Sequence, residues 1–76
     1  GLAYEMAYKE NPKIKLHHPD GTHPGLLGTY LGACTVFAII TNSSPEGLSY
    51  NYLNRVSDDD RVFLQKIAWK AYLKNK

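Results

Sequence analysis

The sequence has little cysteine and little excess charge, and each shortage narrows the possible functions. A single cysteine, Cys34, excludes an internal disulfide and a cysteine-rich structural metal site. Nine lysine and arginine residues against seven acidic residues leave a net charge of +2. Because this excess is small and no basic run is interleaved with aromatic residues, we do not expect a nucleic-acid-binding domain.

Neither a signal peptide nor a membrane span is recognisable within these 76 residues. The first residues have neither the basic opening nor the apolar run of a signal peptide, so localisation stays unknown. Residues 25–41 carry no charge, but three glycines and three threonines interrupt them. A membrane span needs about 20 predominantly apolar residues, so none is expected.

The sequence is 43% hydrophobic and 12% aromatic, a composition typical of a segment that forms a core. A chain of 76 residues forms one small domain at most. Apolar residues at helical spacing in residues 1–9 predict a short helix that begins without a capping residue. We therefore interpret residues 1–76 as the C-terminal part of a single larger domain.

The middle of the chain predicts a strand followed by a helix. Residues 13–17 alternate polar and apolar, which places Ile14 and Leu16 on one face of an edge strand. The apolar residues 25–41 predict a buried helix. Small residues along one side of this helix would let a neighbour approach closely, namely Gly25, Gly28, Gly32 and Thr35.

The last third of the chain predicts a connector and an amphipathic helix. Residues 42–57 are rich in Ser, Asn, Gly and Pro, and Leu53 and Val56 are expected to attach them to the body. Ser57 is a strong N-cap for the helix that follows. The buried stripe of this helix is predicted to contain Leu64, Ile67, Ala68 and Ala71, and its exposed stripe Lys66, Lys70 and Lys74.

All three histidines fall within residues 17–23, the stretch best equipped for chemistry. Asp20 precedes His23 by three residues, and Gly21 and Pro24 suit a tight turn that leads into a helix. In such a turn the Asp20 carboxylate can accept a hydrogen bond from Nδ1–H of His23. Nε2 of His23 would then be an oriented base, as in the base half of a hydrolytic triad.

The block Asp20-Gly21-Thr22-His23-Pro24, followed by Gly25-Leu26-Leu27-Gly28-Thr29-Tyr30-Leu31, resembles the last conserved block of the SGNH (GDSL-type) hydrolases. The resemblance implies that Asp20 is the triad aspartate and His23 the general base. It also implies an α/β fold, in which this chain is the C-terminal helix-strand-helix-loop-helix piece of a flavodoxin-like three-layer SGNH hydrolase.

The nucleophile and oxyanion blocks of that family, a Gly-Asp-Ser block and separate Gly and Asn blocks, are not found in this sequence. Each serine has a loop or capping role of its own, at positions 43, 44, 49 and 57. Cys34 lies in an apolar helix, where cysteine is usually inert. The chain is therefore expected to act as an enzyme only within a larger protein and to be inactive alone.

The resemblance implies hydrolysis of an acyl or acetyl ester, such as one on a carbohydrate, without a cofactor. The expected partners are that substrate and the remaining N-terminal part of the same domain. The family is compatible with a secreted or periplasmic bacterial protein.

Three alternatives remain open for the histidine-rich stretch and its chain. His18, Asp20 and His23 could bind a zinc-like divalent ion. Asp20 and His23 could serve only as turn and helix caps. The whole chain could instead be a non-catalytic helical module that binds a partner through its apolar faces.

Overall fold

Three helices form the regular structure of residues 2–17 and 25–75, which the computed structural model describes. They are α1 (Leu2–Glu10), α2 (Leu26–Thr41) and α3 (Asp58–Lys74). α2 and α3 pack against each other most extensively, and α1 packs against both. The predicted helices are therefore confirmed to within a few residues.

Local chemistry explains where the helices begin and end. α1 is followed by Asn11 and Pro12, and a residue before proline is pushed out of the helical region. α2 ends at Asn42, whose φ of 52° is a left-handed conformation that asparagine tolerates. α3 begins after Ser57, which accepts a 3.2 Å hydrogen bond from the backbone N–H of Asp60, so the predicted N-cap is confirmed.

The core lies where the three helices meet. The four residues predicted to form the buried stripe of α3 are all buried, and Lys66, Lys70 and Lys74 are all exposed, as predicted. The largest fully buried hydrophobic side chains of the core are Leu16, Tyr30, Leu31, Leu64 and Ile67.

The predicted strand and the predicted α/β fold are wrong for the described residues, which contain three helices and no strand. The alternation in residues 13–17 does report burial, since Ile14 and Leu16 are buried while Lys13, Lys15 and His17 are exposed. However, this face packs into the helical core and not into a sheet. An alternating pattern indicates one buried face, and a sheet also needs a neighbouring strand, which the described residues do not supply.

The connector between α2 and α3 is fastened by one buried side chain of α3, Gln65. Its Nε2 donates to the Tyr30 hydroxyl at 3.0 Å and to the Leu48 carbonyl at 2.9 Å. Its Oε1 accepts a 3.1 Å hydrogen bond from the backbone N–H of Gly47. Of the two predicted attachment points, Val56 is confirmed as buried, but Leu53 is 83% exposed.

Candidate functional site

The ends of the histidine-rich stretch are joined by a backbone hydrogen bond. The N–H of Gly25 donates to the carbonyl oxygen of Leu16 at 2.7 Å. The two predicted catalytic residues, Asp20 and His23, lie outside the described residues, and so does His18. The structure therefore describes the residues on either side of the predicted site, Leu16, His17 and Gly25, which we call its support. It does not describe the reacting groups.

This support rests on close packing at the start of α2. Leu16 is fully buried, and its carbonyl group lies against Gly28. A Cβ atom at Gly28 would overlap both this carbonyl oxygen and the Tyr4 hydroxyl. The prediction that small residues on this helix admit a close neighbour is therefore confirmed at Gly28. At Gly32 it is not, because no described atom lies within 4 Å of a Cβ placed there.

His17, the residue before the undescribed segment, is held by two tyrosines of α1. The Tyr8 hydroxyl and Nδ1 of His17 form a 2.7 Å hydrogen bond. The two rings are stacked, with centroids 5.8 Å apart and planes 5° from parallel. The Tyr4 ring meets the His17 ring edge-on at 5.1 Å.

The sequence pattern alone assigns His17 no catalytic role and does not indicate its contact with α1. One signal was present: Tyr4 and Tyr8 are four residues apart, so they share a face of a helix. Burial, and to a lesser degree the neighbouring Tyr8, raises the pKa of Tyr4. Its hydroxyl therefore stays protonated around neutral pH and remains available as a hydrogen-bond donor.

A cleft of about 610 Å³ opens beside this support, and we call it the α1–α2 cleft. Both residues that flank the undescribed segment, His17 and Gly25, line it. The other lining residues are Tyr8, Ile14, Lys15, Leu26 and Leu27. The cleft thus lies next to both ends of the stretch that contains Asp20 and His23.

Neither a metal site nor an activated thiol is present in the described ranges. Within residues 2–17 and 25–75, no three His, Cys, Asp or Glu side chains cluster in a way that could hold a metal ion. The alternative metal site at His18, Asp20 and His23 lies outside these ranges. Burial raises the pKa of Cys34 to about 11, so this thiol is protonated and a poor nucleophile at neutral pH.

A second concavity, the three-helix groove, has a volume of about 530 Å³. Its described lining has no charged side chain and includes Leu2, Ala3, Leu31, Val36, Ile39 and Ala71. Val36 is 52% exposed and Ile39 61%, and the neighbouring Ile40 is 77% exposed. The predicted buried helix is therefore buried on one face only in the described structure.

No helix within the described ranges has the length and apolar character needed to cross a bilayer. Comparison of the chain with protein families, with curated proteins and with solved structures gives no match.

Proposed function

We propose that this chain supplies the aspartate and the histidine of a Ser-His-Asp triad in an SGNH-type ester hydrolase. Asp20 and His23 are the two triad members, and the serine and the oxyanion-hole donors come from residues outside these 76. The observation that carries the proposal is the hydrogen bond between Gly25 N–H and the Leu16 carbonyl. It joins the two described residues Leu16 and Gly25, which lie on either side of the stretch that contains the Asp-x-x-His-Pro block, and Leu16 is fully buried.

Anchoring of this kind is what a triad requires of its scaffold. Catalytic groups must be held within a fraction of an ångström of their productive positions, and rigid supports achieve this better than free loops. Leu16 is fully buried, Gly25 caps α2, and the Tyr8–His17 hydrogen bond ties the start of the segment to α1. The described residues on either side of the segment that contains Asp20 and His23 are thus held to the helical body.

The mechanism is acyl transfer. The serine hydroxyl attacks the ester carbonyl while Nε2 of His23 takes its proton. Asp20 holds the required tautomer of His23 and stabilises the imidazolium that forms. The imidazolium then protonates the departing alkoxide. Water, deprotonated by the same histidine, releases the acid from the acyl-enzyme and restores the serine.

The test compares two neighbouring histidines in the full protein that contains this chain. His23→Ala should lower kcat/KM for p-nitrophenyl acetate by about 10³-fold, because the general base is lost. His18→Ala is the matched control, and its loss should stay below tenfold. A loss below tenfold for His23→Ala, with the circular dichroism spectrum unchanged, would remove His23 from the triad. Similar large losses for both variants, reversed by added zinc, would favour the metal alternative.

One observation favours a second candidate, a helical interaction module: the exposed apolar side chains of Val36, Ile39 and Ile40 on α2. Contiguous exposed apolar surface commonly marks a binding site for another protein surface. The two candidate functions predict different sequences ahead of Gly1 in the full protein. A Gly-Asp-Ser segment followed by isolated Gly and Asn blocks, encoded ahead of Gly1 in the full protein, supports the hydrolase. Their absence from the full protein supports the module.

A further inference from the structure

We infer that the α1–α2 cleft binds the acyl group of the ester, and that this group is an aliphatic chain longer than acetyl. The inference rests on the proposed hydrolase function and adds a substrate class to it. The first observation is the position of the cleft in the fold. Because His17 and Gly25 both line the cleft, it adjoins both ends of the segment that contains Asp20 and His23.

The cleft is much larger than an acetyl group. The cleft has a volume of about 610 Å³. Clefts of about 300–1,000 Å³ commonly hold whole small-molecule ligands, whereas an acetyl group fills only a small part of such a space. An extended chain of several methylene groups uses the space, and each buried methylene strengthens binding by about fourfold.

The lining chemistry favours a hydrocarbon chain over a sugar ring. Ile14, Leu26 and Leu27 contribute aliphatic surface, and Tyr8 contributes an aromatic ring. A sugar needs several hydrogen-bonding groups that point into its site. Here the Tyr8 hydroxyl and Nδ1 of His17 are bound to each other. The backbone N–H of Gly25 likewise already donates a hydrogen bond to the Leu16 carbonyl.

Lys15 is the one charged side chain of the described lining, and it is exposed. A lysine at the edge of an apolar cleft can keep its ammonium group in water while its methylene stem covers apolar surface. The described lining of the cleft therefore presents mostly carbon atoms to its occupant.

The experiment uses the full protein and p-nitrophenyl esters of acetate, butyrate, hexanoate and octanoate. We expect kcat/KM to rise by about tenfold or more from acetate to hexanoate. Leu26→Phe adds bulk to the cleft and should lower the ratio of kcat/KM for octanoate to kcat/KM for acetate about tenfold. Ile40→Phe is the matched control, because Ile40 belongs to the same helix and does not line the cleft. Leu26→Ala enlarges the cleft and should move the preference toward octanoate.

An unchanged circular dichroism spectrum of each variant reports that the protein is folded. A second readout, independent of turnover, is the methyl NMR signals of Leu26 and Leu27 during titration with octanamide. These signals should shift with octanamide and not with acetamide.

The outcomes separate the two proposals. His23-dependent hydrolysis with no chain-length preference, or a preference unaffected by Leu26→Phe, overturns the acyl-chain inference and leaves the triad standing. Octanamide binding at Leu26 in a protein without His23-dependent hydrolysis overturns the triad and retains an apolar ligand site. The absence of both hydrolysis and binding overturns both proposals.

Discussion

Gly28 lies against the carbonyl oxygen of Leu16 with no room for a side chain between them. The contact brings α2 onto the extended segment that leads to the predicted catalytic block. It therefore links the packing of the helical core to the position of the candidate site. The contact is possible only because Gly28 has no Cβ atom.

Gly28→Ala should destabilise the protein by about 1–3 kcal/mol, because the new methyl group meets backbone atoms that cannot rotate away. The matched control is Gly32→Ala on the same helix, where the described residues leave open space. There alanine should stabilise by about 0.5–1 kcal/mol, the usual gain over glycine in a helix. Urea unfolding of both variants measures the difference. Equal stabilisation by both would contradict the close contact.

Gln65→Ala should cost about 2–4 kcal/mol and loosen the connector between α2 and α3. The change leaves the Gly47 N–H without its side-chain partner and removes one of the two side-chain donors to the Leu48 carbonyl, the other being Arg61. Thermal unfolding and limited proteolysis within residues 42–57 provide the measurements. Lys66→Ala, at the exposed neighbouring position, should change stability by less than about 0.5 kcal/mol. Unchanged protease resistance in Gln65→Ala would show that the connector is held by other contacts.

Leu53→Asn should stabilise the protein by about 0.5–1 kcal/mol. Tyr52, Leu53 and Asn54 all have positive φ, between 57° and 66°. This left-handed conformation is unfavourable for leucine and better tolerated by asparagine. Little packing is lost, since the Leu53 side chain is 83% exposed. Leu53→Ala has no side-chain amide to hydrogen-bond the local backbone and should show no such gain in a urea titration; a gain as large as that of asparagine would refute the backbone explanation.

Stability should fall in alkaline solution, beginning near pH 9. Burial raises the pKa of Cys34 from 9.0 in the unfolded chain to about 11 in the folded protein. Burial also raises the pKa of Tyr4 and of Tyr30. The folded state holds these protons more tightly, so its advantage is complete below pH 9 and is lost as pH rises through about 11. Denaturation midpoints from pH 7 to 11 should decline less in Cys34→Ala than in the parent.

Asp20→Asn should reduce ester turnover by about 10²–10⁴-fold while leaving the fold intact. An amide at this position can donate to Nδ1 of His23 and so favour the wrong tautomer. Steady-state kinetics in the full protein measure the loss, with circular dichroism as the folding control. A chelator should leave the activity of the parent unchanged. Near-normal turnover by Asp20→Asn would reduce this residue to a turn former.

The helices could be predicted from the sequence because their signals are local. Ser57 and the apolar spacing of α3 lie within a few residues of the structure they determine. The strand prediction failed because Ile14 and Leu16 look the same whether a sheet or a helical bundle buries them. Gln65 could not be anticipated, since its partners Tyr30 and Leu48 are distant in sequence. The site residues Asp20 and His23 remain predictions of the resemblance.

The absence of charge from α2 has a thermodynamic consequence for anything that covers Val36, Ile39 and Ile40. With no charge on this helix and none in the described lining of the three-helix groove, α2 can contribute no ion pair to such an association. The contact would depend on the release of water from carbon surfaces, which weakens on cooling and strengthens in sulfate solutions. Moderate changes in sodium chloride, which screen charges, would leave α2's share of the association nearly unchanged.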